Sequence, residues 1–165
     1  MLMKPLANPL NPQAGKWLVI ADKTAIAKVI PHTGNMCLLD GVLECDAQRI
    51  RCISSTHRDA DNPMRSGDVL LALCGIEYAA QAMAVHGAWD AKYAQKPRAG
   101  YLAALRDVSC HTMRLDDLSD DLIIDAEKVM GDEARVIYRF NIHAGTTMIM
   151  SGRATVVLDA DKAGA

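Results

Sequence analysis

Residues 69 to 89 read VLLALCGIEYAAQAMAVHGAW, and within them Glu77 is the only side chain with a formal charge at neutral pH. A segment apolar or small on every side belongs to the interior of a protein rather than its surface. Ala72, Gly75, Ala79, Ala80, Ala82 and Ala84 keep it thin enough for a sheet to wrap closely. The stretch is therefore read as one long central helix, with Asp68 or Ser66 placed to cap its N-terminus. An ionised carboxylate in such a helix is costly without a partner. Glu77 must then be paired, protonated or engaged in chemistry. Desolvation raises a carboxyl pKa while the positive end of a helix lowers it, a balance that suits a proton-transferring group.

About 20 apolar residues span a bilayer, so the same stretch invites a membrane reading. Glu77, Gln81 and His86 argue against it. Upstream, MCLLDGVLECD from Met36 and then RIRCISS read as two strands that turn at Asp46 and Ala47. The polar loop THRDADNPMRSGD leads on to the helix. Downstream, Lys96-Pro97-Arg98 marks a break before strands at about 99 to 112, 121 to 130, 134 to 143 and 146 to 158. Their turns are signalled at Asp116 to Asp121, at Gly131-Asp132-Glu133 and at Ala144-Gly145. In the third of these strands Val136, Tyr138, Phe140 and Ile142 alternate with Arg135, Ile137, Arg139 and Asn141, the pattern of a sheet with one buried face. A hairpin, a central helix and a meander of long strands make an α+β layout, a curved antiparallel sheet wrapped round a helix. That is the plan of the hotdog fold.

The boundaries follow from composition. Residues 1 to 22 are rich in Pro and Asn and are expected to be an N-terminal arm or a short edge strand, with residues 23 to 165 as a single domain. Pro5, Pro9 and Pro12 interrupt the stretch where a secretory leader needs an unbroken apolar core. Residues 159 to 165 are expected to fray. The whole chain has 165 residues, half of them hydrophobic, which suffices for one substantial core. A net charge of -2 and only 4% aromatics argue against a nucleic-acid partner. The five Cys are odd in number, with no CxxC pair, so neither a disulfide framework nor a metal site is expected. They read as reduced core residues of a cytoplasmic protein.

Three polar features flank the helix in sequence: Ile30-Pro31-His32, then His57-Arg58-Asp59 with Asp61-Asn62-Pro63, and Glu77 itself. A His and a Glu are the two groups that reversible proton transfer at carbon and oxygen requires. The pieces IPHTGNMCLLDGV and GIEYAAQAMAVHG resemble the paired signature of the 3-hydroxyacyl-acyl-carrier-protein dehydratases, in which a Pro-His segment leads into a Leu-Leu-Asp strand and the central helix carries the Glu. HRDADNP, PRAGYLAALRDV and SGRATVVL bring the likeness closest to the aryl polyene branch of that family. The resemblance runs from Ile30 to Leu158. It departs in one place, because the His-Phe-Pro-Gly motif that supplies the usual catalytic His is missing. His57 lies ahead of Glu77 without that motif, and His32 competes with it for the same role.

The resemblance implies loss of water from a 3-hydroxyacyl thioester held on the phosphopantetheine arm of an acyl carrier protein, giving the trans-2-enoyl thioester with no cofactor. It implies Glu77 as the acid for the departing hydroxyl, and His57 or His32 as the base for the C2 proton. Gly75, Gln81 and Asn62 are the candidate substrate-binding residues. Backbone N–H groups around Ala72 to Gly75 are expected to stabilise the thioester oxygen, and Gln81, one turn beyond Glu77, to orient its carboxyl. Relatives place the His and the acid on different subunits, which implies a homodimer or higher oligomer with the two helices side by side. Two other readings stay open, a non-catalytic acyl-binding subunit of a heteromeric dehydratase and a hotdog thioesterase. His86, His111 and His143 are assigned to structure, Cys74 to packing, and Arg58, Arg65 and Arg98 to the solvated surface.

Overall fold

The computed structural model describes residues 10–11, 16–90 and 99–159. Strands β1 (Leu10–Asn11) and β2 (Lys16–Trp17) pair as a small ribbon of their own. The main sheet is built from β3 (Ala21–Asp22), β4 (Gly41–Cys45), β5 (Arg49–Ser54), β6 (Ala99–Cys110), β7 (Leu122–Gly131), β8 (Arg135–Ala144) and β9 (Thr147–Asp159). Its spatial order is β3-β4-β5-β7-β8-β9-β6, antiparallel throughout. Helix α1 (Lys23–Ala27) follows β3, capped by the Asp22 carboxylate on Ala25 N–H at 2.9 Å. The long helix α2 (Gly75–Asp90) lies across β5, β7 and β8. This is the hotdog arrangement that the layout of the chain implies.

Local chemistry explains the turns. The Asp46 carboxylate accepts from Gln48 N–H and Arg49 N–H, closing the β4–β5 hairpin, and Asp132 does the same for Ala134 and Arg135 between β7 and β8. Gly145 turns β8 into β9 at φ 57°, and a Cβ there would sit 2.7 Å from the Asp120 carboxylate. On β8, Val136, Tyr138, Phe140 and Ile142 are buried while their neighbours are not, as the alternation requires. Tyr78, Ala79, Ala82 and Val85 of α2 meet them in the core. Gly152 of β9 leaves room for the Phe140 ring, whose edge would be 2.9 Å from an added Cβ.

Three expectations need correction. The central helix does not begin at Val69: residues Ala72–Cys74 form a 3-10 turn with Leu71 at its N-cap, and α2 starts at Gly75. Ser66 pairs with Val69, and Leu71 with Arg114, as isolated bridges, so neither Ser66 nor Asp68 caps the helix. A helix of 16 residues rises about 24 Å, short of a bilayer core, and no described helix is long and apolar enough to cross a membrane. The first strand begins at Gly41 rather than Met36, because Gly34–Met36 is a 3-10 turn. Among the cysteines Cys37 and Cys52 are buried and Cys45 and Cys74 half-buried, but Cys110 is exposed at the end of β6. The break at Lys96-Pro97-Arg98 lies outside the described residues, as do most of residues 1 to 15 and the tail from 160.

Candidate active site

Glu77 stands in the first turn of α2, and His32 lies in the bend between α1 and the 3-10 turn at Gly34. Their side chains meet: His32 Nε2 is 2.9 Å from Glu77 Oε1, with each side chain a little over a quarter exposed. The carboxylate is thus paired, and it is reachable from solvent. Its second partner is Gln81, one turn along, whose Nε2 donates to the same Oε1 at 3.0 Å. Nδ1 of His32 is buried without a partner among the described residues.

Gln81 also fixes the segment that follows the histidine. Its Nε2 donates to Met36 O at 2.7 Å, and its Oε1 accepts from Leu38 N–H at 2.9 Å. Leu38 O in turn accepts from Ser54 Oγ at 2.6 Å and from Thr56 Oγ1 at 2.8 Å. Asp40 accepts from the Ser55 N–H and hydroxyl. Side chains thus take the bonds of Met36 O, Leu38 N–H and Leu38 O, the N–H groups of Met36 and Cys37 turn back to Thr33 O and Gly34 O, and a ladder bond appears only at Asp40, whose N–H donates to Ile53 O. The same bonds tie the His-bearing segment to the Glu-bearing helix.

His57 goes elsewhere. It sits fully buried in the 3-10 turn Thr56–Arg58, with Nε2 3.2 Å from Leu118 O and Nδ1 unpartnered among the described residues. Burial, and then the Arg58 guanidinium, hold its pKa below the usual histidine value. Its ring bonds run to Leu118 O and Arg58, whereas the Glu77 carboxylate is bonded to His32 and Gln81. Asn62 is committed as well: its Nδ2 donates to Thr56 O and Tyr78 Oη, and its Oδ1 accepts from Met64 N–H. Gly75 is the place where the helix start presses on the sheet, since a Cβ there would lie 3.1 Å from Ile142 Cδ1 and 3.4 Å from Met150 Cε. Of the four amides expected to serve an oxyanion, three are already bonded: Ala72 N–H to Met113 O, Cys74 N–H to Leu71 O, and Gly75 N–H to Ala72 O and Leu73 O. The 3-10 turn, which tightens the helix entry, takes the Cys74 and Gly75 donors, and the segment at Met113 takes that of Ala72.

The ApeP-like family model, described as ApeP dehydratase, matches residues 24–164. The chain belongs to this family. Among solved structures it is similar to the dehydratase heterocomplex ApeI:P from Xenorhabdus doucetiae, with 22% identity over 89% of this chain and 95% of that one and a TM-score of 0.74. It is also similar to zebrafish thioesterase superfamily member 2, at 12% identity, 83% and 93% coverage and a TM-score of 0.54. A thioesterase-like protein from Silicibacter sp. gives 9% identity, 87% and 95% coverage and a TM-score of 0.58. At these identities the structures speak for the shared hotdog fold. No curated protein matches the chain in sequence.

For this ApeP-like protein, the three-way use of Gln81 and the buried Tyr78–Thr56–Asn62 network are the features that sequence reasoning missed. Tyr78 Oη lies 2.9 Å from Thr56 Oγ1 and 3.1 Å from Asn62 Nδ2, anchoring the loop after β5 to the helix beside Glu77. The polar residues THRDADN within an otherwise apolar surround were the available signal. Among the described residues no group of three or more His, Cys, Asp or Glu is arranged to hold a metal ion.

Proposed function

We propose that the protein removes water from a 3-hydroxyacyl thioester carried on an acyl carrier protein, with His32 as base and Glu77 as acid. The 2.9 Å contact between the two side chains is the observation that carries this reading. His32 Nε2 takes the proton from C2, the C–H electrons become the C2–C3 double bond, and the C3 hydroxyl leaves with the proton of Glu77 as water. The step leaves an imidazolium beside a carboxylate. Transfer of one proton along their own hydrogen bond restores both groups for the next turnover, with no proton required from solvent. Gln81, donating to the same Glu77 oxygen, holds it towards His32.

A homodimer is part of this proposal. Leu102 and Leu105 of β6 are 36% and 37% exposed, although their partners Val156 and Ala154 on β9 point to the helix side of the sheet. Helix α2 covers β5, β7 and β8 and leaves β6 open. Along α2, Ile76, Ala80, Ala84 and Ala88 are half-buried at a spacing of four, one stripe that a second helix would cover. The thiol-rich composition supports a reducing, cytoplasmic setting.

The test is conversion of a carrier-bound 3-hydroxyacyl chain by the wild type and by Glu77→Gln. Formation of the enoyl thioester by the wild type, and its loss in a folded variant, is expected. Undiminished turnover in the variant would overturn the mechanism. Release of free acid would instead assign the site to thioester hydrolysis, and no reaction at all to an acyl-binding subunit.

A further inference from the structure

The sheet face turned away from α2 carries a row of charged residues that crosses five strands. Arg49 on β5 lies opposite Glu127 on β7, Glu127 opposite Arg139 on β8, Arg139 opposite Arg153 on β9, and Arg153 opposite Arg106 on β6. Three arginines thus stand side by side on adjacent strands, about 4.8 Å apart. Like charges directly opposite one another destabilise a sheet, and the net charge of the whole chain is -2, so this band is not a reflection of overall composition.

Two of the three are compensated within the chain. Arg139 Nη1 lies 3.2 Å from Glu127 Oε2. Arg153 Nε and Nη2 both donate to Asp107 Oδ2, the Nε at 2.9 Å, and Asp107 reaches them from a bulge in β6 where its φ is 53°. Among the described residues it is the only residue other than glycine with positive φ, a conformation that Asp tolerates better than most. Arg106 makes no ion pair among the described residues. Beside it the surface dips into a concavity of about 300 Å³ lined by Arg106, Arg153, Thr155 and Ile137.

The unpaired guanidinium fork of Arg106, the Nη1 that Arg153 has left beside its Asp107 pair, and a hydroxyl over an aliphatic floor match a phosphate group attached to a carbon skeleton, because a planar fork pairs with phosphate oxygens two at a time. We propose that this concavity binds phosphate, carried either by a free phosphorylated small molecule or by a phospholipid headgroup. Arg106 donates to the phosphate oxygens with its whole fork and Arg153 with Nη1, Thr155 adds its hydroxyl, and Ile137 contacts the adjoining carbons. Asp107 keeps Arg153 upright and limits affinity by its own charge. The site lies on the opposite side of the sheet from His32 and Glu77 and does not depend on the reaction proposed for them.

The experiment follows backbone amide shifts of the full-length protein on titration with inorganic pyrophosphate at constant ionic strength, with sodium chloride as the control. Saturable shifts are expected around residues 104 to 107, 137 and 153 to 155. Arg106→Gln weakens the binding about tenfold or more, the loss of one charge-assisted pair, while Asp107→Asn tightens it. Sedimentation with vesicles of phosphatidylcholine containing phosphatidylglycerol separates the two sources. Co-sedimentation that Arg106→Gln abolishes assigns the headgroup, and pyrophosphate binding without co-sedimentation assigns a soluble ligand. The proposal is overturned if neither probe binds, or if Arg106→Gln binds both as the wild type does.

Discussion

His32 Nε2 and Glu77 Oε1 stand 2.9 Å apart because Gln81 grips both the helix that bears the glutamate and the segment that follows the histidine. The proposed mechanism needs both partners for proton transfer, so Glu77→Gln and His32→Ala are each expected to lower kcat by about 100-fold to 10,000-fold. His57→Gln, measured per folded molecule, changes kcat little. Circular dichroism alongside turnover separates the effects. A His57 variant as inactive as the His32 variant would transfer the base to His57.

Gln81→Leu removes three hydrogen bonds at once. It strands the Leu38 N–H, a buried donor, and Met36 O, each loss costing about 1 to 3 kcal/mol. A total destabilisation of about 2 to 4 kcal/mol is expected, read as a lower urea midpoint at unchanged slope. Because Glu77 then loses its orienting donor, kcat falls more than KM rises. A variant as stable as the wild type would show that the Gln81 bonds are not kept in solution.

Much of this was legible before any coordinates. The strands after the helix have the period of two that one buried face imposes, and β6 to β9 fall within two residues of their expected ends. The segment from Met36 to Asp40 was not legible, because its apolar residues resemble a strand while its backbone is bonded by Gln81, Ser54 and Thr56. Nor could periodicity locate the helix start, since VLLALC is as apolar in two isolated bridges and a 3-10 turn as it would be in a helix. The choice between His32 and His57 was hidden for a different reason. Both precede Glu77 in polar loops, and only the folded path of the chain brings one to the carboxylate and buries the other beneath Leu118.

Stability is expected to fall on acidification through His57. Burial first, and the neighbouring Arg58 second, lower its pKa in the fold, whereas in the unfolded chain it titrates near 6.5. Below about pH 6.5 the unfolded chain binds a proton that the folded chain refuses, so unfolding becomes easier as pH drops towards the folded value. Above about pH 6.5 this penalty is absent. Urea midpoints between pH 5 and 8 should therefore slope less in His57→Gln than in the wild type. Parallel slopes would mean that the imidazole is solvated and titrates normally.

A long edge strand with exposed apolar side chains is a liability unless something pairs with it or covers it. Among the described strands β6 is such an edge, bonded to β9 alone, with Tyr101, Leu102 and Leu105 exposed. The chain's own helix lies over β5, β7 and β8, so in the homodimer proposed above it is the second copy that covers Leu102 and Leu105. The double substitution Leu102→Lys, Leu105→Lys places two charges in that contact and should convert a dimer to a monomer, measured by light scattering. Neither side chain touches His32 or Glu77, so any fall in turnover that follows the fall in mass reports what the second subunit contributes to the site. A wild type that is monomeric at every concentration would remove the dimer from the proposal and leave the His32–Glu77 pair to act within one chain.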